Sequence, residues 1–224
     1  MIEHSTVEEL ARDDVERKRF LKMAGKTMGS VAAASGLAAF IAACGSSSSS
    51  SSTKAAGGAT TSTTSTAGAT GDLAIVNYAL TLEYLEDQFY AEVVKSGLFN
   101  GSTLSTLKTF AADEAAHVQA LEGVAKKLGT PAQKPQGKFP LTSASSVAKL
   151  AATVENLGAA AYLGQAPHIQ SKEILAAALS IHTVEARHAA TLNTLLKVSP
   201  TPTGGFGAAM SMSQVLAAVK PFIA

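Results

Sequence analysis

Four glutamates, two tyrosines and two histidines recur in this chain as a double pattern. Glu83 is followed by Tyr90, and Glu114-x-x-His117 comes after them. Glu155 is followed by Tyr162, and Glu185-x-x-His188 comes after those. The first two pairs of matching residues are offset by 72 positions and the last two by 71. A repeat that keeps the carboxylates and imidazoles while the surrounding sequence differs points to two similar helix pairs enclosing a two-metal site.

The helical reading follows from periodicity. Leu73, Val76, Leu80, Glu83, Asp87, Tyr90 and Val94 alternate at spacings of three and four, which predicts a first helix from a cap at Asp72 to about Ser96. A second, capped by Ser102 or Thr103, carries Leu107, Phe110, Glu114, His117, Leu121, Val124 and Leu128. Gly129 ends it after Lys126 and Lys127, which suit a helix C-terminus. A third starts near Ser145 and carries Ala148, Ala151, Glu155, Gly158 and Tyr162 to an end near Gly164 or Pro167. A fourth starts around Ser171 with Ile174, Ala178, Ile181, Glu185, His188, Leu192 and Leu195 on its seam, and Pro200 stops it. Ser211 or Ser213 caps a short fifth helix through Val219, which packs Val215, Leu216 and Phe222 on the bundle.

The motif residues lie within the apolar stripes rather than opposite them. Bare carboxylates in a core are costly, so these must be neutralised, hydrogen-bonded or coordinated. Short joints favour antiparallel pairs one–two and three–four. The stretch from Thr130 to Ala144, with Pro131, Pro135 and Pro140, is long enough to run the height of a bundle.

Glu-x-x-His places two ligands one helical turn apart on one face. Two such helices, with one glutamate from each of two others, is the composition of a di-iron or di-manganese carboxylate site in a ferritin-like bundle. Four carboxylates balance two divalent cations, and oxygen with imidazole suits Fe or Mn better than a soft metal. Residues 72 to about 198 resemble the ferritin-like superfamily. Leu82-Glu83-Tyr84-Leu85-Glu86, Phe89-Tyr90 and Val184-Glu185-Ala186-Arg187-His188 look most like its branch of desiccation-related, exported bacterial and plant proteins.

The resemblance implies an all-α, ferritin-like four-helix bundle with one long crossover between helices two and three, plus a short C-terminal helix. It implies two Fe or two Mn ions, bridged by Glu114 and Glu185. Glu83 and Glu155 would be terminal ligands, and His117 and His188 would bind one ion each. Tyr90 and Tyr162 would hydrogen-bond a carboxylate or sit as redox-active neighbours, the candidate catalytic side chains. Dioxygen or hydrogen peroxide would be substrates. A non-catalytic envelope stress or structural role for the same bundle is the alternative. Glu86 is either a further ligand or base or an exposed residue, Asp87 either pairs with a partner or lies at the seam's edge, and His182 either hydrogen-bonds a ligand or is partly exposed. His168 is unrelated to the site.

Ahead of this region, Arg17-Lys18-Arg19-Phe20-Leu21-Lys22 precedes an uncharged, moderately apolar run from Thr27 to Ala43. That is the outline of a signal peptide over residues 1–43. Arg17 to Lys22 resembles a twin-arginine export motif, with Lys18 at the second arginine's place. Ile41-Ala42-Ala43-Cys44 resembles a bacterial lipobox, which implies lipidation at Cys44 and a membrane-anchored lipoprotein facing the periplasm or cell exterior. The other reading of the apolar run is an uncleaved anchor, although its length is at the short end for a span.

Residues 44–71 read as the lipidated cysteine and a Ser/Thr/Gly linker, 72–198 as the bundle, and 199–224 as a C-terminal loop and short helix. Cys44 is the only cysteine, so no thiolate reaches the metal site. Nearly balanced charge without a basic stripe argues against nucleic acid as a partner. The membrane, through Cys44, and a second copy of the chain are candidate partners.

Overall fold

A computed structural model describes residues 64–224, with side chains from residue 71 onward. The expected signal segment, Cys44 and most of the expected linker lie outside the described residues. Among those described, no helix is long and apolar enough to cross a membrane.

Four long helices form the bundle: α1 (Thr64–Lys95), α2 (Gly101–Leu128), α3 (Ala144–Gln165) and α4 (Lys172–Leu195). A 3₁₀ turn, Ala166–His168, joins α3 to α4. A short α5 (Met212–Val219) follows and ends in a second 3₁₀ turn, Lys220–Phe222. The dominant packing is α1 on α2 and α3 on α4, the pairing that the short joints predict. This is a ferritin-like four-helix bundle with one long crossover between its second and third helices.

Serine caps fix three of the starts. Ser143 and Ser146 form a reciprocal capping box at α3, and Ser211 with Gln214 forms another at α5. Ser171 accepts from the Ile174 amide at α4. Two expected caps are corrected. The N-cap of α2 is Asn100, which makes no side-chain capping bond, rather than Ser102 or Thr103. Asp72 lies inside α1, which begins at Thr64. Its carboxylate, 2% exposed, accepts from the backbone N–H groups of Gln170 and Ser171 at 2.8 and 2.9 Å. Asp72 therefore anchors the entry to α4 across the bundle, and the helical backbone runs through Thr64–Gly71 without needing it as a cap.

The crossover, residues 129–143, is held along α1 by two amide side chains. Asn77 donates to the Thr130 carbonyl and accepts from the Ala132 amide. Gln88 does the same for the Pro135 carbonyl and the Gly137 amide. The chain's C-terminus then covers it, through Lys138 N–H to the Phe222 carbonyl and Ala224 N–H to the Gln136 carbonyl. The loop before α5 lies so close to α3 that a Cβ on Gly164 would stand 1.9 Å from the Met210 carbonyl oxygen, so only glycine fits there. Val215 and Val219 bury α5 on the bundle, whereas Leu216, expected to pack, is 41% exposed. Leu195, expected on the α4 seam, is also exposed, because it falls in the last turn of its helix.

Candidate metal centre

Each bundle helix delivers its motif residues to one buried point. Glu83 comes from α1, Glu114 and His117 from α2, Glu155 from α3, and Glu185 and His188 from α4. All four glutamates are 0% exposed. Potential ligand atoms fall into two overlapping groups, Glu83–Glu114–His117–Glu185 and Glu114–Glu155–Glu185–His188, each within a 4.8 Å span. The groups share Glu114 and Glu185 and differ in one glutamate and one histidine, as two adjacent ions with two bridging carboxylates would require.

The spacings fit such ions. Oxygen and nitrogen ligands bind small divalent cations at about 2.0–2.2 Å, so neighbouring ligand atoms on one ion stand about 3 Å apart. His117 Nδ1 lies 3.2, 3.0 and 3.3 Å from Glu83 Oε2, Glu114 Oε2 and Glu185 Oε1. His188 Nδ1 lies 3.1 and 3.2 Å from Glu114 Oε1 and Glu155 Oε2. These His188 contacts are close but lack hydrogen-bond geometry. Glu114 Oε1, Glu155 Oε2, both Glu185 oxygens and His188 Nδ1 are buried with no hydrogen-bond partner. Unpaired buried polar atoms are costly, and atoms that converge without bonding one another are arranged around a common third party.

The outward oxygens of the two unshared glutamates are satisfied by a reciprocal exchange between α1 and α3. Tyr162 on α3 donates to Glu83 Oε1 at 2.5 Å, and Tyr90 on α1 donates to Glu155 Oε1. Each phenol leaves the other carboxylate oxygen facing its histidine. Both phenols are pushed well above the ordinary tyrosine range, chiefly by burial and then by nearby carboxylate charge, so they remain donors.

Without cations the cluster must hold protons. Burial raises Glu114 to about 7 and, reinforced by the surrounding carboxylates, lifts Glu185 and Glu86 well above the usual range. Burial opposes a charged His188, but Glu114 and Glu155 outweigh it and bring the imidazole to about 10. His117 is raised in the same way, burial being overcome first by the charge of Glu83. Glu83 moves down despite its burial because His117 neighbours it.

Two residues complete the surroundings. Asp113 accepts from His188 Nε2 at 3.1 Å, which holds that nitrogen outward and leaves Nδ1 as the one facing the cluster. Phe110 stacks on the same ring, with centroids 3.9 Å apart. Asp113 was not legible as a site residue, since one carboxylate beside Glu114 reads as a solvated surface group. Glu86, open between site and surface in the sequence, is 4% exposed and faces the cluster. The remaining candidates stay outside it. Asp87 pairs with Lys134 at 2.9 Å, His168 is exposed in the 3₁₀ turn, and His182 makes no hydrogen bond through its buried Nδ1.

The model of the family described as ferritin-like domain matches residues 71–198, the stretch that carries all six clustered residues. The chain belongs to the ferritin-like domain family. Among solved structures, this ferritin-like chain is similar to the crystal structure of a conserved hypothetical protein, rv2844, from Mycobacterium tuberculosis. The two share 20% identity over 64% of this chain and 98% of that one, with a TM-score of 0.52. That likeness is one of fold. No curated protein matches the ferritin-like chain.

Proposed function

We propose that the protein is a dinuclear iron or manganese carboxylate oxidoreductase of the cell envelope, using dioxygen or hydrogen peroxide to oxidise Fe(II) or to remove peroxide. The observation that carries this reading is the pair of overlapping ligand groups sharing Glu114 and Glu185, with inward atoms that lack any protein partner. Two such ions, if bound there, would supply a two-electron store.

The protein's own residues would hold that store in place. Glu114 presents one oxygen toward each histidine, Oε2 to His117 and Oε1 to His188, and Glu185 is the second shared carboxylate. Tyr90 and Tyr162 orient the unshared Glu155 and Glu83 by donating to the outward oxygen of each. Phe110, Phe89 and Tyr90 form an edge-to-face cluster that keeps bulk water from the His188 side.

An envelope location rests on the sequence alone, on Arg17–Lys22 and on Ile41–Cys44 as a lipobox with a lipidated Cys44. The Leu82–Glu86 and Val184–His188 segments support a place in the desiccation-related branch of the family. The test is to load the full chain anaerobically with Fe(II) or Mn(II) and follow consumption of dioxygen and peroxide. Turnover abolished by Glu114→Ala with unchanged helicity is expected. A fully loaded protein that consumes neither oxidant faster than the free ions would defeat the enzymatic reading and favour a structural metal.

A further inference from the structure

The repeat that builds this site is broken at three neighbouring positions, and two of the breaks fall on His188. His188 has Asp113 on its Nε2 and Phe110 against its ring. At the offset of 71 that relates the two Glu-x-x-His motifs, the counterparts of Asp113 and Phe110 are Val184 and Ile181. Neither can accept a hydrogen bond, and among the described residues His117 bonds only through Nδ1.

The third break is Glu86, whose counterpart at the offset of 72 is Gly158. Glu86 is 4% exposed, and no described residue donates a hydrogen bond to it. A Cβ on Gly158 would stand 3.1 Å from Glu86 Oε1 and 2.5 Å from Glu185 Oε2. The missing side chain thus makes the room into which a fifth carboxylate enters. Glu185 Oε1 is the oxygen facing His117, and its Oε2 shares with Glu86 the space beside Gly158.

We propose that the two metal positions are unequal and that the one at His188 fills first. This rests on the dinuclear reading above. The donor sets are of the same kind, one histidine, one unshared glutamate and the two shared ones, so the difference must arise from what surrounds them. A carboxylate on the far nitrogen makes an imidazole a better donor and holds its ring in place, and loss of such a partner typically weakens metal binding by about 10–100-fold. Phe110 removes the remaining rotational freedom of the ring.

The test is titration of the metal-free full chain with Co(II) under argon, read by its visible absorption and by calorimetry. Two steps are expected, with dissociation constants at least about tenfold apart. Asp113→Ala, a change at a partly exposed side chain that leaves folding intact, should weaken the first step by about 10–100-fold and spare the second. His117→Ala should retain the first step. Two indistinguishable steps, or an Asp113→Ala variant that loses affinity equally in both, would overturn the inequivalence while leaving the dinuclear reading intact. No Co(II) uptake at all would overturn both.

Discussion

Replacing Gly158 with alanine should separate the stability of the bundle from the integrity of its metal centre. Gly158 lies in the interior of α3, where alanine is favoured over glycine by about 1 kcal/mol. The added methyl would meet Glu185 Oε2 at 2.5 Å and Glu86 Oε1 at 3.1 Å. A relaxed carbon–oxygen contact is roughly 3.3 Å, so Glu185 must retreat by roughly 0.8 Å and Glu86 by a few tenths. Both atoms are the far ends of flexible side chains. In the metal-free protein they can swing aside at little cost, and the melting temperature should stay level or rise by up to about 4 °C.

With metal bound the same retreat is not available, because Glu185 would be held by both ions. A displacement of roughly 0.8 Å exceeds the tolerance of about 0.5 Å within which a site keeps its geometry. We expect metal affinity to fall by at least about 10-fold, and the metal-induced rise in melting temperature to shrink accordingly. Differential scanning calorimetry of wild type and Gly158→Ala, each with and without Mn(II), measures both effects. An unchanged metal-induced shift in the variant would refute Glu185 as a shared ligand packed against Gly158. A metal-free variant destabilised by several kcal/mol would refute the flexibility assigned to the cluster.

Two further outcomes follow from the same geometry. Asp72→Ala should destabilise the domain by about 1–3 kcal/mol in urea unfolding, because two amides at the start of α4 lose their acceptor. An effect under about 0.5 kcal/mol would mean that water replaces the carboxylate. The metal-free protein should lose stability as pH rises from about 6.5 toward 10. His188 has a folded value of about 10, above its unfolded value, so its stabilising proton is fully held below about 6.5 and lost as pH climbs through the folded value. Metal-loaded protein should lack this slope, and its affinity should strengthen over the same window because the ions displace protons. Parallel melts at stepped pH check both statements.

The clustering of the six candidate residues was legible in the sequence because a repeat that keeps its offsets and a helical period constrains the same positions twice. Ser143, Ser171 and Ser211 follow local rules, and the caps they form were readable to within a residue or two. Asp72 was misread because its partners, Gln170 and Ser171, are nearly a hundred residues away, and a carboxylate before an apolar stripe looks like a local cap. Asn77 and Gln88 were invisible for the same reason, since nothing local shows that they bind the crossover's backbone. For Glu86 a signal did exist. A glutamate on one copy of the repeat facing a glycine on the other marks a side chain that needs its counterpart's space.

Metal content is the direct measure of the central claim. The full chain, purified without chelator, reconstituted with Fe(II) or Mn(II) and desalted, should hold about two ions per chain. X-ray absorption should show a metal–metal separation of about 3.5–4 Å, and Glu114→Ala should lose that metal pair. A wild-type protein that retains fewer than about 0.2 ions per chain under conditions that load other such sites would contradict the account.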